Sequence, residues 1–215
     1  MPKSSTSTMP RISLLSEAKS INVNKWTYPG MQIYKIQEDI IDGLFRSLPT
    51  TTNNDVDIVF LKVSTLNLFY STYMLATRQM ANGIVSLNID SKLKMGDISL
   101  VDEIATCTKR RNYSFATKYC ACHEPNLYPI YDAIVGNYLA QVVESGHLPM
   151  YASYSKSAIL NKMKNYSDYK ELYDAFMDYY DLSSLSYREV DWYIWVANKC
   201  KTSAKLHSLN LFKLI

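Results

Sequence analysis

Asp132 stands immediately before the apolar-periodic run Ile134, Val135, Tyr138, Leu139 and Val142, where a helix N-cap belongs. A carboxylate placed this way is held by backbone N–H groups and by the positive end of a helix dipole, and both favour its ionised form. Such a group can stabilise a cation that develops beside it and orient a water molecule. Upstream, Ser114 lies at the start of a run to Cys122 in which Phe115, Ala116 and Tyr119 form one face at helical spacing. Glu124-Pro125-Asn126 stops that helix, because the residue before a proline is pushed out of the α region. Leu127 to Tyr131 then runs extended around Pro129 up to the aspartate. The stretch from Tyr113 to Val143 therefore reads as helix, short loop, helix, with an acid at the mouth of the second. Ahead of it Lys109, Arg110 and Arg111 make the densest basic patch, with Lys118 one to two turns further on.

The pattern Ser-x-Ala, about a dozen residues, apolar-Pro-Ile-x-Asp and then a helix resembles the core of the helix-hairpin-helix DNA glycosylases. The resemblance is clearest over about thirty residues of this chain. It implies an all-α fold of two helical subdomains with a cleft between them, and a partner that is double-stranded DNA carrying a modified base. Asp132 would be the catalytic carboxylate. Eighteen positions before that aspartate the bifunctional glycosylase/lyases carry a lysine, and here Ser114 stands there. The implied reaction is hydrolytic base removal that leaves an abasic site, because serine cannot form a Schiff base with C1′. Lys118, one turn on, is an imperfect substitute, so lyase chemistry is not expected.

The base must leave the duplex and be held by stacking and edge hydrogen bonds. Tyr128 and Tyr131 beside the aspartate, and Asn67 and Tyr70 from another helix, are the candidate pocket residues. Ser71 and Thr72 match the place of the family's polar turn against the DNA. Relatives of this kind carry a glycine-rich hairpin whose backbone amides approach a phosphate. This chain has Thr108, Lys109, Arg110, Arg111 and Asn112 instead, without glycine. Either side-chain cations, Lys118 among them, replace those amides on the DNA, or the loop is a solvated turn. Relatives without lysine or iron–sulfur cluster include enzymes that remove modified bases in DNA repair or in defence against modified phage DNA. The resemblance implies no cofactor and a monomeric protein. Two other functions stay open: a non-catalytic helix-hairpin-helix DNA-binding module, and an α-helical adaptor whose tyrosine-rich grooves bind a peptide.

Composition agrees with a folded helical chain. The sequence has 215 residues, 47% of them apolar and 20% charged, and its 6 glycines and 7 prolines argue against a turn-rich β-sandwich. A net charge of +3 permits a nucleic-acid partner without demanding one. The 18 tyrosines suit helix interfaces, rings inside and hydroxyls wet, with a share free to stack on bases. Cys107, Cys120, Cys122 and Cys200 lack the paired spacing of a zinc site and of an iron–sulfur cluster, so they read as thiols in a reducing cytoplasm. No metal, signal peptide or membrane span is expected.

The positioning elements follow in order. A Ser/Thr/Pro-rich tail over 1–12 precedes one helical domain, 13–215. Within it a helical subdomain lies around 55–106 and the hairpin with the catalytic helix spans 97–145, while C-terminal helices over 150–205 complete the other lobe. Gln32 to Ser47 reads as an amphipathic helix with Ile33, Ile36, Ile40, Leu44 and Phe45 inward and Lys35, Glu38, Asp39 and Asp42 outward. Asp57 to Leu68 reads as a buried helix capped by Asp55, with a break at 69–72 and a second helix to Met80. Residues 88–96 read as a polar linker, and Asp97 as the cap of a helix to Thr106. Tyr166 to Tyr180 carries an acidic stripe that keeps it away from phosphates. Ser186 and Glu189 form a capping box opening a last helix, Tyr187 to Lys199, with Trp192, Trp195 and Val196 inward.

Overall fold

The computed structural model describes residues 13–47, 52–200 and 209–214, and among them finds eleven α-helices and no strand. They are α1 (Leu15–Asn24), α2 (Gln32–Asp42), α3 (Val56–Phe69), α4 (Thr77–Ser86), α5 (Asp90–Met95), α6 (Ser99–Ala105), α7 (Tyr113–His123), α8 (Ala133–Glu144), α9 (Lys156–Lys162), α10 (Tyr166–Tyr179) and α11 (Tyr187–Lys199). The chain is all-α, as its periodicity predicts. The N-terminal tail, part of the loop before Asp55 and the basic residues Lys201 and Lys205 lie outside the described residues. Among the described residues no helix is long and apolar enough to cross a membrane.

Helix α7 runs through the middle. Tyr113 and every residue from Phe115 to Cys122 are buried, against α6 on one side and α3 on another. Helix α8 packs on α9 and α11, and α1 closes over α11. The caps are those the sequence predicts: Asp55 accepts from the N–H groups of Asp57 and Ile58, Asp132 from Val135, and Ser186 with Glu189 forms the capping box. Asp97 accepts from Ser99 N at 3.0 Å at the entry to α6. The four cysteines are free thiols, three of them buried.

Three expectations are corrected. Residues 88–96 are not a linker, because Asp90–Met95 forms helix α5, which buries Leu93 and ends on Gly96 at φ +69°. A six-residue helix with one inward apolar side chain leaves almost no periodic trace in the sequence. Helix α2 faces the other way: Ile33, Ile36 and Ile40 are exposed, whereas Glu38 turns inward and pairs with Arg188 of α11. The chain after α2 tightens into a π turn, Gly43–Ser47, which buries Leu44 and Phe45. Helix α4 also begins later and runs further than a helix ending at Met80, to Ser86.

At the end of α7, His123 lies under the rings of Phe45 and Tyr119, with Nε2 3.1 Å from Asn53 Oδ1. Burial, helped by the Lys62 charge, lowers its pKa to about 3. The folded state holds this imidazole neutral while the unfolded chain protonates it near 6.5. Stability present above pH 6.5 is therefore lost as pH falls through the window down to about 3. Thermal melting across that range should show a slope of up to about 1.4 kcal/mol per pH unit from this group, largely removed in His123→Gln. A difference curve that stays flat would show the ring to be solvated.

Candidate functional site

The extended segment before α8 is fastened by side chains on both sides. Tyr166 donates its hydroxyl to Pro129 O at 3.1 Å, and Tyr169 donates to Ile130 O. From α7, Ser114 Oγ donates to Tyr131 O at 3.0 Å, while Thr117 Oγ1 accepts from Tyr131 N at 3.1 Å. Each backbone polar group met in this way removes the cost of burying it alone. Gly136 lets the Tyr131 ring lie across the first turn of α8, for a Cβ there would sit 3.1 Å from the ring. Asp132 emerges from this clamp in extended geometry, with Oδ1 accepting from Val135 N at 2.8 Å.

Asp132 lines a cavity of about 240 Å³. Its walls come from five places in the chain: Tyr34 and Glu38 of α2, Tyr70 and Ser71 after α3, Lys118 of α7, Ile130 beside Asp132, and Trp192 and Trp195 of α11. Tyr34 and Trp195 meet edge to face at 4.7 Å, and Trp192 and Trp195 at 5.5 Å. Flat aromatic walls with charged groups among them suit a planar polar ligand.

Lys118 is 5% exposed and sends its ammonium into this cavity. Nζ donates to Ser114 Oγ at 2.7 Å and lies 5.5 Å from the Tyr70 ring centroid. Burial lowers its pKa, against the pull of Asp132 and Asp191. Ser114 thereby joins the amine to the backbone that presents Asp132, since its one hydroxyl accepts from Lys118 and donates to Tyr131 O.

Across the cavity Arg188 is the hub of a half-buried charge cluster. Nη1 donates to Asp191 Oδ2 at 2.9 Å, and Nη2 donates to Glu38 Oε1 and to the Tyr70 hydroxyl. The Tyr70 hydroxyl also lies 3.2 Å from Glu38 Oε1. Desolvation raises the Asp191 carboxyl to about 7, although Arg188 pulls it down.

The sequence-derived residues divide. Asp132, Lys118, Tyr70 and Ser71 meet in the cavity, and Ser114 touches it through Lys118. Tyr128 does not: it is fully buried, with its hydroxyl within reach of the carbonyls of Lys92, Leu93 and Asp97. Tyr131 also turns away, packing on Tyr113 and Tyr169. Asn67 and Thr72 build a loop instead of a pocket. Asn67 Nδ2 donates to Met74 O at 3.0 Å, and its Oδ1 accepts from Met74 N at 2.9 Å and Thr72 Oγ1 at 2.7 Å. That loop holds Ser71 and Tyr73 at positive φ and leaves Tyr73 80% and Leu75 99% exposed. In the basic loop Lys109 and Arg110 are exposed. Arg111 is held by Asp102 at 2.5 Å, by Lys164 O and by the Tyr113 ring, and Asn112 bonds to Thr108 and Arg110 within the turn. Sequence reasoning missed Glu38, Arg188 and Asp191 as cavity groups. Trp192 and Trp195, read as core, line it.

The profile of a family described as an N-terminal domain, HI_0787_N, matches residues 17–127, a span that holds Lys118 and stops short of Asp132 and α11. A Haemophilus influenzae protein named only as uncharacterized is 30% identical over 149 residues, 67% of this chain and 68% of that protein. No solved structure matches. The profile match and the length of the shared alignment place the chain in the HI_0787_N family.

Proposed function

We propose that this protein is a DNA glycosylase that takes an extruded, modified base into the Asp132 cavity and breaks its N-glycosidic bond. In this reading α6, the basic loop and α7 serve as the hairpin, and the cavity is the cleft of a helix-hairpin-helix glycosylase-like arrangement. The observation that carries it is the sharing of one aromatic-walled cavity by Asp132 and a buried lysine amine, Lys118. That amine moves the proposal from simple hydrolysis to a glycosylase/lyase. The free amine of Lys118 attacks C1′ as the base departs with the glycosidic electron pair and takes up a proton. Asp132 carries the charge opposite to the cation that develops on the sugar. The amine sheds its proton, the C1′–O4′ bond breaks as O4′ takes up a proton, and an imine forms at C1′ of the opened sugar. Loss of a 2′ proton then expels the 3′ phosphate, and water returns the lysine. A lowered pKa enlarges the fraction of Lys118 that is unprotonated and nucleophilic at neutral pH. Lys109 and Arg110, free of the contacts that hold Arg111, would meet phosphates in place of a glycine hairpin. Repair and defence against modified phage DNA are both settings for such an enzyme.

The test is borohydride trapping on duplexes that carry an abasic site or one of a panel of modified bases. Wild type should give a covalent protein–DNA adduct, and Lys118→Ala none. An adduct that persists in Lys118→Ala assigns the amine wrongly. Base release with no adduct returns the protein to the monofunctional class. Neither release nor adduct on any duplex removes the glycosylase reading.

A further inference from the structure

Three buried side-chain polar atoms among the described residues lack a hydrogen-bond partner: Asn22 Oδ1, the Tyr173 hydroxyl and Asp191 Oδ1. Of these residues Asp191 lines the cavity. It is 5% exposed, and its other oxygen is taken by Arg188 Nη1 at 2.9 Å. Arg188 is itself committed to Glu38 and Tyr70, so it cannot turn to serve the open oxygen. An acceptor buried in this way is costly to leave unmatched, and a donor brought by a ligand removes the cost. The aromatic rings next to it on α11, Trp192 and Trp195, line the same cavity, and such walls suit the edge of a planar heterocycle at Asp191.

Building on the glycosylase reading, we propose that Asp191 reads the inner edge of the extruded base and selects one with adjacent N–H donors, the lactam N–H and exocyclic amine of a guanine-type ring. Adenine- and cytosine-type edges set a ring acceptor beside their amine. Uracil- and thymine-type edges flank one N–H with two carbonyls, and either arrangement turns a lone pair toward the carboxylate. A phosphate at this end is disfavoured for the same reason, because the nearby guanidinium is already occupied by two carboxylates and a phenol. Glu38 of α2, Tyr70 after α3, Lys118 of α7, Asp132 before α8 and Tyr169 and Tyr173 of α10 also face this group, beside Arg188 on its own helix. Desolvation places its carboxyl at about 7, so the accepting form, and with it the preference for a donor edge, grows as pH rises from 6 to 8.

Calorimetric titration of the whole protein at pH 8 with guanosine, inosine, 1-methylguanosine and adenosine tests this. Guanosine should bind most tightly. Inosine, which lacks the exocyclic amine, and 1-methylguanosine, which lacks the lactam N–H, should each be weaker by about tenfold. In Asp191→Asn, whose amide oxygen keeps the Arg188 contact and whose NH₂ takes the place of the open oxygen, guanosine should lose about 10- to 100-fold and its lead over inosine should vanish. Should that variant fail to fold, the wild-type comparison among the four nucleosides decides by itself. Equal affinities, or no binding, overturn the assignment of Asp191 even where borohydride trapping succeeds. Selective guanosine binding without trapping would leave Asp191 as the reader and remove the chemistry.

Discussion

If the proposed base excision is this protein's reaction, Asp132→Asn should lower its single-turnover rate by about 10²–10³-fold and leave the melting temperature almost unchanged. The two halves of this result separate two roles of one side chain. As an N-cap, Asp132 accepts from Val135 N through Oδ1, and an asparagine oxygen does the same with similar effect on the helix. In the proposed reaction the same side chain, which lines the cavity, would supply a negative charge beside a sugar that becomes cationic, and asparagine would not. A variant that folds and releases base at the wild-type rate would reduce Asp132 to a cap.

Arg188→Met destabilises the protein by about 3–5 kcal/mol, because Glu38 and Asp191 stay partly or fully buried without their counter-ion. The side chains of the cluster are only 8–17% exposed, so solvent screens them little. For a chain of this size the loss is a melting-temperature drop of about 10 °C in calorimetry. Its pH dependence has a definite sign. The Asp191 carboxyl titrates at about 7 when folded and at 3.8 when unfolded, so its contribution is present at low pH and is lost as pH rises through about 7. Removing Arg188, which holds that carboxyl down, should widen the loss at higher pH, and Asp191→Asn in the Arg188→Met background should recover part of it. A drop below about 1 kcal/mol would mean that water reaches the cluster.

Legibility in the sequence followed the range of the interaction. Helix ends set by one side chain and its next few N–H groups, at Asp55, Asp132 and Ser186, are local and were readable. The direction of α2 was not. Ile33, Ile36 and Ile40 make the better apolar stripe, yet Glu38 is drawn inward by an arginine 150 positions later. Arg188 and Asp191 at i, i+3 look like an ordinary solvent-facing helix pair, and it is residues from distant elements, Glu38 and Tyr70 among them, that enclose them. Tyr131 fails as a pocket residue for a simple reason. Side chains alternate along an extended segment, so Ile130 and Asp132 share the cavity side and Tyr131 takes the other. Counting eighteen positions back from the aspartate leads to Ser114, whereas the residue that lines the cavity is Lys118. One helical turn separates it from Ser114, and the two are joined by the hydrogen bond from Lys118 Nζ to Ser114 Oγ.

The loop after α3 has a kinetic consequence. Asn67 spans it with three hydrogen bonds, and Ser71 and Tyr73 are already held in left-handed backbone, so its shape is fixed during folding. Tyr73 and Leu75 stand out in water on the same loop as Ser71, which lines the cavity. A ligand that enters the cavity should therefore meet a loop already tied by these bonds, with no separate loop-ordering phase in its association kinetics.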